Sequence, residues 1–146
     1  MAVDRRGAGL VVIRICLGVF LIAQAILKVR WLIRSAMLAS QLDVWLQNAA
    51  PGSISHVYLQ RIAIPGTAIF ARLVPIGEFV CGVALLFGFS TTFFAFVAFF
   101  MVLNYQIASG ALFQPTFVAD RAGFPVLAAT LGLAWGGVRL PWSLRG

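Results

Sequence analysis

Apolar residues fall into four long runs that few polar positions interrupt. The first runs roughly from Ala8 to Leu27 and is broken only by Arg14 and Gln24. The second covers roughly Phe70 to Phe89, the third Thr92 to Gly110, and the fourth Gly123 to Leu140. Each is close to the ~20 residues that a helix needs to cross a ~30 Å hydrocarbon layer. Between Leu73 and Ala119 the single charged residue is Glu78. That stretch is too long for one crossing, and Gly88-Phe89-Ser90-Thr91 is its natural break. Gly88 suits a left-handed helix end, and Ser90 or Thr91 suits the next N-cap. The pattern therefore predicts a tight antiparallel hairpin. Alternating apolar and polar positions are absent, and an open sheet leaves backbone groups unsatisfied in lipid. The expected fold is all-α: an integral membrane four-helix bundle in a single domain, residues 1–146.

The segment from roughly 30 to 64 has another character. Trp31, Leu38, Leu42 and Trp45 recur at helical spacing, while Arg30, Arg34, Gln41 and Asp43 lie largely off that stripe. An apolar stripe backed by charge predicts an amphipathic helix lying in the membrane interface between the first two crossings. Pro51-Gly52 ends it, a short helix follows from Ser53 to Arg61, and Pro65-Gly66 turns the chain into the second crossing. Trp31, Trp45, Trp135 and Trp142 suit the headgroup level, where amphipathic rings anchor.

Composition strengthens this picture. Hydrophobic residues make up 62% of the 146 and charged ones 10%, against about half and about a quarter in soluble domains. Mean hydropathy is +0.99. The net charge of +7 sits mainly at the ends of apolar runs, where Lys and Arg meet lipid headgroups. It does not form a nucleic-acid patch. Arg5 and Arg6 before an apolar stretch, with Ala23-Gln24-Ala25 behind, mimic a signal peptide. Arg14 breaks its apolar core, so an uncleaved first helix is expected. The single histidine, His56, has no metal-ligand partners at any recognisable spacing, and no haem, flavin or metal motif appears.

The polar residues inside the runs carry the chemistry. At 1.5 Å per residue, Arg14 and Glu78 lie ~9 Å and ~16 Å from the same membrane face. A lone charge near a helix centre costs ~2.5–3.5 kcal/mol, so two opposite charges within reach are expected to pair. Arg14, Gly18, Leu21, Ala25 and Lys28 follow a 4-3-4-3 spacing and share one helix face; Glu78, Gly82 and Leu85 share another. Asn104 and Tyr105 reach a depth near that of Glu78. One reading of the cluster is an Arg14–Glu78 pair that sets helix register. The other is a polar pocket of Arg14, Glu78, Asn104 and Tyr105, suited to a quinone headgroup or a proton. Cys16 and Cys81 have similar depths; inert packing is the plain reading and a redox dithiol the sharper one. Cys16 lies about 200° round the helix from Arg14. Gly132 and Gly136 form a small-xxx-small helix-contact signal.

The order Arg14-x-x-x-Gly18-x-Phe20, Lys28, then Glu78-x-x-x-Gly82-x-x-Leu85-Leu86-x-Gly88, resembles the first two helices of DoxX-like membrane proteins. Met101-Val102-Leu103-Asn104-Tyr105 with Ala108-Ser109-Gly110 is more similar to the DoxD branch, the membrane subunit of thiosulfate:quinone oxidoreductase. Thr91-Thr92 departs from the Thr-Arg usual at that point in the family, and Ala25 stands where the family often has Gly. The resemblance implies a prokaryotic cytoplasmic membrane, contact with the quinone pool, and partner membrane or membrane-associated subunits. The rival expectation is a non-catalytic accessory subunit of a larger respiratory or photosynthetic complex. A small transporter is disfavoured, for no inverted repeat is visible.

Overall fold

The computed structural model describes residues 5–119, 123–137 and 140. Among them the chain is helical with no strand. Helix α1 spans Arg5–Leu27, α2 Ala36–Asn48, α3 Ile54–Tyr58, α4 Thr67–Phe87, α5 Thr91–Ala108 and α6 Phe124–Gly136. Three of them, α1, α4 and α5, are long and apolar enough to cross a membrane. Helix α6 is as apolar but has 13 residues, about 20 Å of rise. The expected fourth run continued through 138 and 139; these, with Trp142, lie outside the described residues.

The long helices pack as α1 on α4 and α5 on α6, with α4–α5 and α1–α6 contacts closing the ring. Val11, Leu17, Leu21, Leu85, Ala95 and Leu133 are buried in the middle. The α4–α5 hairpin forms where expected. Gly88 takes φ 71° at the end of α4. Phe89 N–H donates to Ala84 at 2.8 Å and Gly88 N–H to Leu85 at 3.1 Å, a Schellman closure that satisfies two terminal carbonyls. Ser90 occupies the next N-cap position, but at φ 41° and without a side-chain bond to the helix.

Two glycines set the α1–α4 distance. A Cβ on Gly18 would stand 2.9 Å from both the Gly82 carbonyl oxygen and the Leu86 nitrogen. One on Gly82 would stand 2.9 Å from the Gly18 oxygen. The backbones touch here because neither residue has a side chain. The Gly132–Gly136 pair in α6 makes no such contact. A Cβ on Gly132 would meet nothing within 4 Å, and one on Gly136 would meet only the Leu10 side chain.

A second cluster covers the other end of α4. Leu38 and Leu42 of α2 are buried against Leu59, Ala63, Ala71 and Ala108, with Trp31 and Trp45 beside them. The stripe read from the sequence thus packs against this chain, while Arg30, Arg34 and Asp43 are exposed. Helix α3 is capped by the Ser53 side chain, which accepts from His56 N–H at 3.2 Å. It continues into a π-helical turn, Leu59–Ala63, a wide turn that is rare and frequent at functional sites.

Candidate functional site

A buried salt bridge joins Lys28 Nζ, just past the last turn of α1, to Glu78 Oε1 on α4. Both side chains are about one-tenth exposed, at 11% each. Lys28, not Arg14, is therefore the partner of Glu78. The glycine contact explains the difference. Gly18 is level with Gly82 and Leu86, and the two helices are antiparallel. Ten residues onward from Gly18, about 15 Å, α1 has passed Glu78 and the Lys28 stem folds back to it. Arg14 lies the other way, about 21 Å from Lys28 along the axis. Depth counted from the ends of the two apolar runs puts Arg14 and Glu78 only ~7 Å apart; the glycine contact sets them further from one another. Arg14 is still buried, at 2% exposure, and lines neither of the cavities beside Glu78.

Aromatic rings enclose the lysine. Its Nζ lies 5.9 Å from the Trp31 ring centre and 5.7 Å from that of Tyr105, within cation–π range. Trp45 meets Tyr105 edge-on at 5.2 Å. From the short helix above, Tyr58 O–H donates to Asn104 Oδ1 on α5. Burial pushes the Tyr58 phenol up from its ordinary 10.0.

Glu78 is the wall between two spaces. One, of ≈ 50 Å³, is lined by Trp31, Trp45, Tyr58, Phe70, Asn104 and Tyr105 among others. The second, of ≈ 140 Å³, is lined by Gln24, Lys28, Met101, Tyr105 and Gln106 among others. A cavity of about 150 Å³ holds benzene, and a water's share of liquid volume is about 30 Å³. The first space therefore suits a water, and the second a single flat ring.

Of the four residues expected to form a pocket, the structure brings Glu78, Asn104 and Tyr105 together and leaves Arg14 apart. Cys81 is buried in the core and Cys16 is on the exposed side of α1; both are free thiols. Lys28, Tyr58 and Gln106 join the site unexpectedly. The 4-3-4-3 stripe already ended on Lys28 and pointed to it. Tyr58 had no such signal, for it lies 46 residues from Asn104.

The DoxX family model matches residues 9–111, which contain α1 from its second turn onward, α4, α5 and every residue of this site. The chain belongs to the DoxX family. It is a membrane protein, and its three long apolar helices agree with that assignment. No curated protein and no solved structure matches the chain. The DoxX match thus covers the α1–α4 ion pair, its aromatic enclosure and both cavities, and it ends before α6.

Proposed function

We propose that this DoxX-family chain is a quinone-facing membrane subunit of a redox complex, of the thiosulfate:quinone oxidoreductase kind that its DoxD-like third helix resembles. In this reading α1, α4, α5 and α6 form a four-helix bundle in a prokaryotic cytoplasmic membrane, and α2 and α3 lie at one interface. One observation carries it. The ring-sized space beside Glu78 is bounded by a carboxylate, an ammonium and two amide side chains inside an otherwise apolar bundle. A quinone ring takes up electrons and protons at its two oxygens. Lys28 and the side-chain amides offer donors to such oxygens, and Glu78 can hold or pass a proton beside them. The chain shows no electron carrier of its own in its motifs, so a partner subunit supplies the electrons.

The rival reading is an accessory subunit, in which the Lys28–Glu78 pair only fixes register. Purification in mild detergent of the assembled complex separates them. With Glu78→Gln, the quinone-facing reading expects normal assembly, loss of bound quinone and at least about tenfold lower quinone-linked activity, the scale of general acid–base terms being 10²–10⁴. Unchanged quinone and unchanged activity in an intact complex would leave the accessory role.

A further inference from the structure

The seam between α1 and α4 has an outer side as well as an inner one. Beyond the Gly18–Gly82 contact, on the outer side, lies an apolar groove of ≈ 320 Å³, lined by Ala25, Ile26 and Val29 and by Pro75, Ile76 and Phe79 of α4 among others. Neither Lys28 nor Glu78 lines it. Ala25 and Pro75 are buried and make its floor. Ile26, Val29, Ile76 and Phe79 are exposed and make its walls. The space is about twice that which holds benzene. A hydrocarbon chain fits such a groove, whereas a helix, about 10–12 Å across, is too thick for it.

One end of the groove is flanked by cations. Arg72 precedes Ile76 by four residues, so it shares that face of α4 one turn nearer the helix start, and it is exposed. Arg30 is exposed beside Val29, in the 3-10 turn Val29–Leu32, which packs on α4. Counted from the glycine contact, Arg72 is ten residues along α4, about 15 Å, and Arg30 is twelve along the other strand of the seam, about 18 Å. The two arginines thus stand at nearly one height. Of the two described carboxylates, Glu78 accepts from Lys28 and Asp43 is on the exposed side of α2. An apolar channel below a pair of guanidinium groups is complementary to a hydrocarbon chain below a phosphate, which an arginine fork binds with two hydrogen bonds. We infer that the outer α1–α4 groove is a binding site for an anionic phospholipid, with one acyl chain over Ala25 and Pro75 and the phosphate at Arg72 and Arg30. The inference is independent of what the inner cavities hold.

The test is lipid titration of the full chain in mild detergent, with the first bound lipid counted by native mass spectrometry. The probes are phosphatidylglycerol and phosphatidylcholine with the same acyl chains. Each arginine near an anionic headgroup is worth about fivefold in affinity. The first phosphatidylglycerol should therefore bind at least about fivefold more tightly than the first phosphatidylcholine. Arg72→Gln should remove about fivefold from phosphatidylglycerol and leave phosphatidylcholine unchanged. Arg61→Gln, which removes an exposed arginine from the π-helical turn, should change neither. Ile76→Trp fills the groove and should weaken both lipids; should it fail to fold, the two arginine variants decide alone. Equal affinity for the two lipids would overturn the proposal. Equal losses from Arg61→Gln and Arg72→Gln would overturn it too, because the attraction would then belong to the basic surface as a whole and not to the groove.

Discussion

The two ends of the α1–α4 contact are built on opposite rules. At Gly18 and Gly82 the backbones touch, and a single added carbon would meet a carbonyl oxygen at 2.9 Å. Nothing can enter there. Lys28, about 15 Å along α1 from Gly18, and Glu78, about 6 Å along α4 from Gly82, carry long polar side chains, and both cavities beside Glu78 lie at this end. One helix pair thus combines a closed fulcrum with an open site. The glycines place Lys28 opposite Glu78; the charges keep that end from closing as the other does. Register is decided where the chain has no side chains, and chemistry is placed where it has its longest.

The largest expected effect comes from breaking the open end. Lys28→Met leaves Glu78 buried without its cation, at a cost of about 3 kcal/mol. Adding Glu78→Leu should recover most of that loss, because an apolar pair of similar volume is often neutral. Denaturation midpoints in detergent measure both. Arg14→Met belongs in the same cycle. Its effect should add to that of Glu78→Leu within ~0.5 kcal/mol, as for distant sites. A coupling between Arg14 and Glu78 as large as that of Lys28 would mean that α1 is set at a different height.

The closed end should respond less, and with a sign that depends on position. Gly18→Ala forces backbone apart and is expected to destabilise by about 1–3 kcal/mol, the range for overpacking. Gly132→Ala in α6 puts its methyl where nothing lies within 4 Å. It should stabilise by up to ~1 kcal/mol through helix propensity alone. The same substitution at two helix glycines then moves the midpoint in opposite directions. Equal effects would show that the Gly18–Gly82 contact does not set the spacing.

What could be read from the sequence follows the same division. The apolar runs, the hairpin at Gly88 and the shared face from Arg14 to Lys28 were legible because each is local: a run length, a turn residue, a 3.6-residue period. All five residues of that face are buried. The ion-pair partner was not, because it depends on how far one helix slides along another. Sequence spacing fixes angle around a helix, but height between helices is decided by a contact of two glycines 64 positions apart. Gly132 and Gly136 had the stronger motif and make no close backbone contact; Gly18 and Gly82 belong to no pair within their own helices. The amphipathic stripe of α2 was legible as a stripe, but its packing partner was not. Its leucines face this chain's own second core, and only the three-dimensional arrangement distinguishes that from a face laid on lipid. Tyr58 was invisible for a plainer reason: a single tyrosine in a short connecting helix carries no period at all.

Tyr58 also offers the smallest and most local probe of the open end, since it roofs the smaller space from outside the long helices. Tyr58→Phe removes one hydroxyl and leaves Asn104 Oδ1 without its donor. A loss of about 1 kcal/mol is expected, the usual net worth of one hydrogen bond. The pH dependence gives the sign independently. The folded phenol titrates above its ordinary 10.0, chiefly because burial disfavours the phenolate. A group whose folded value is raised contributes its stability in full below the unfolded value, and loses it as pH rises from there through the folded value. Midpoints measured from pH 8 to 12 should therefore hold steady up to about 10 and fall beyond it. Tyr58→Phe should start lower and fall less steeply, because the phenol that favours unfolding at high pH is gone. Parallel curves for the two proteins would mean that the alkaline loss arises elsewhere, and that the Tyr58–Asn104 bond leaves the roof of the site as free to ionise as a solvent-exposed tyrosine.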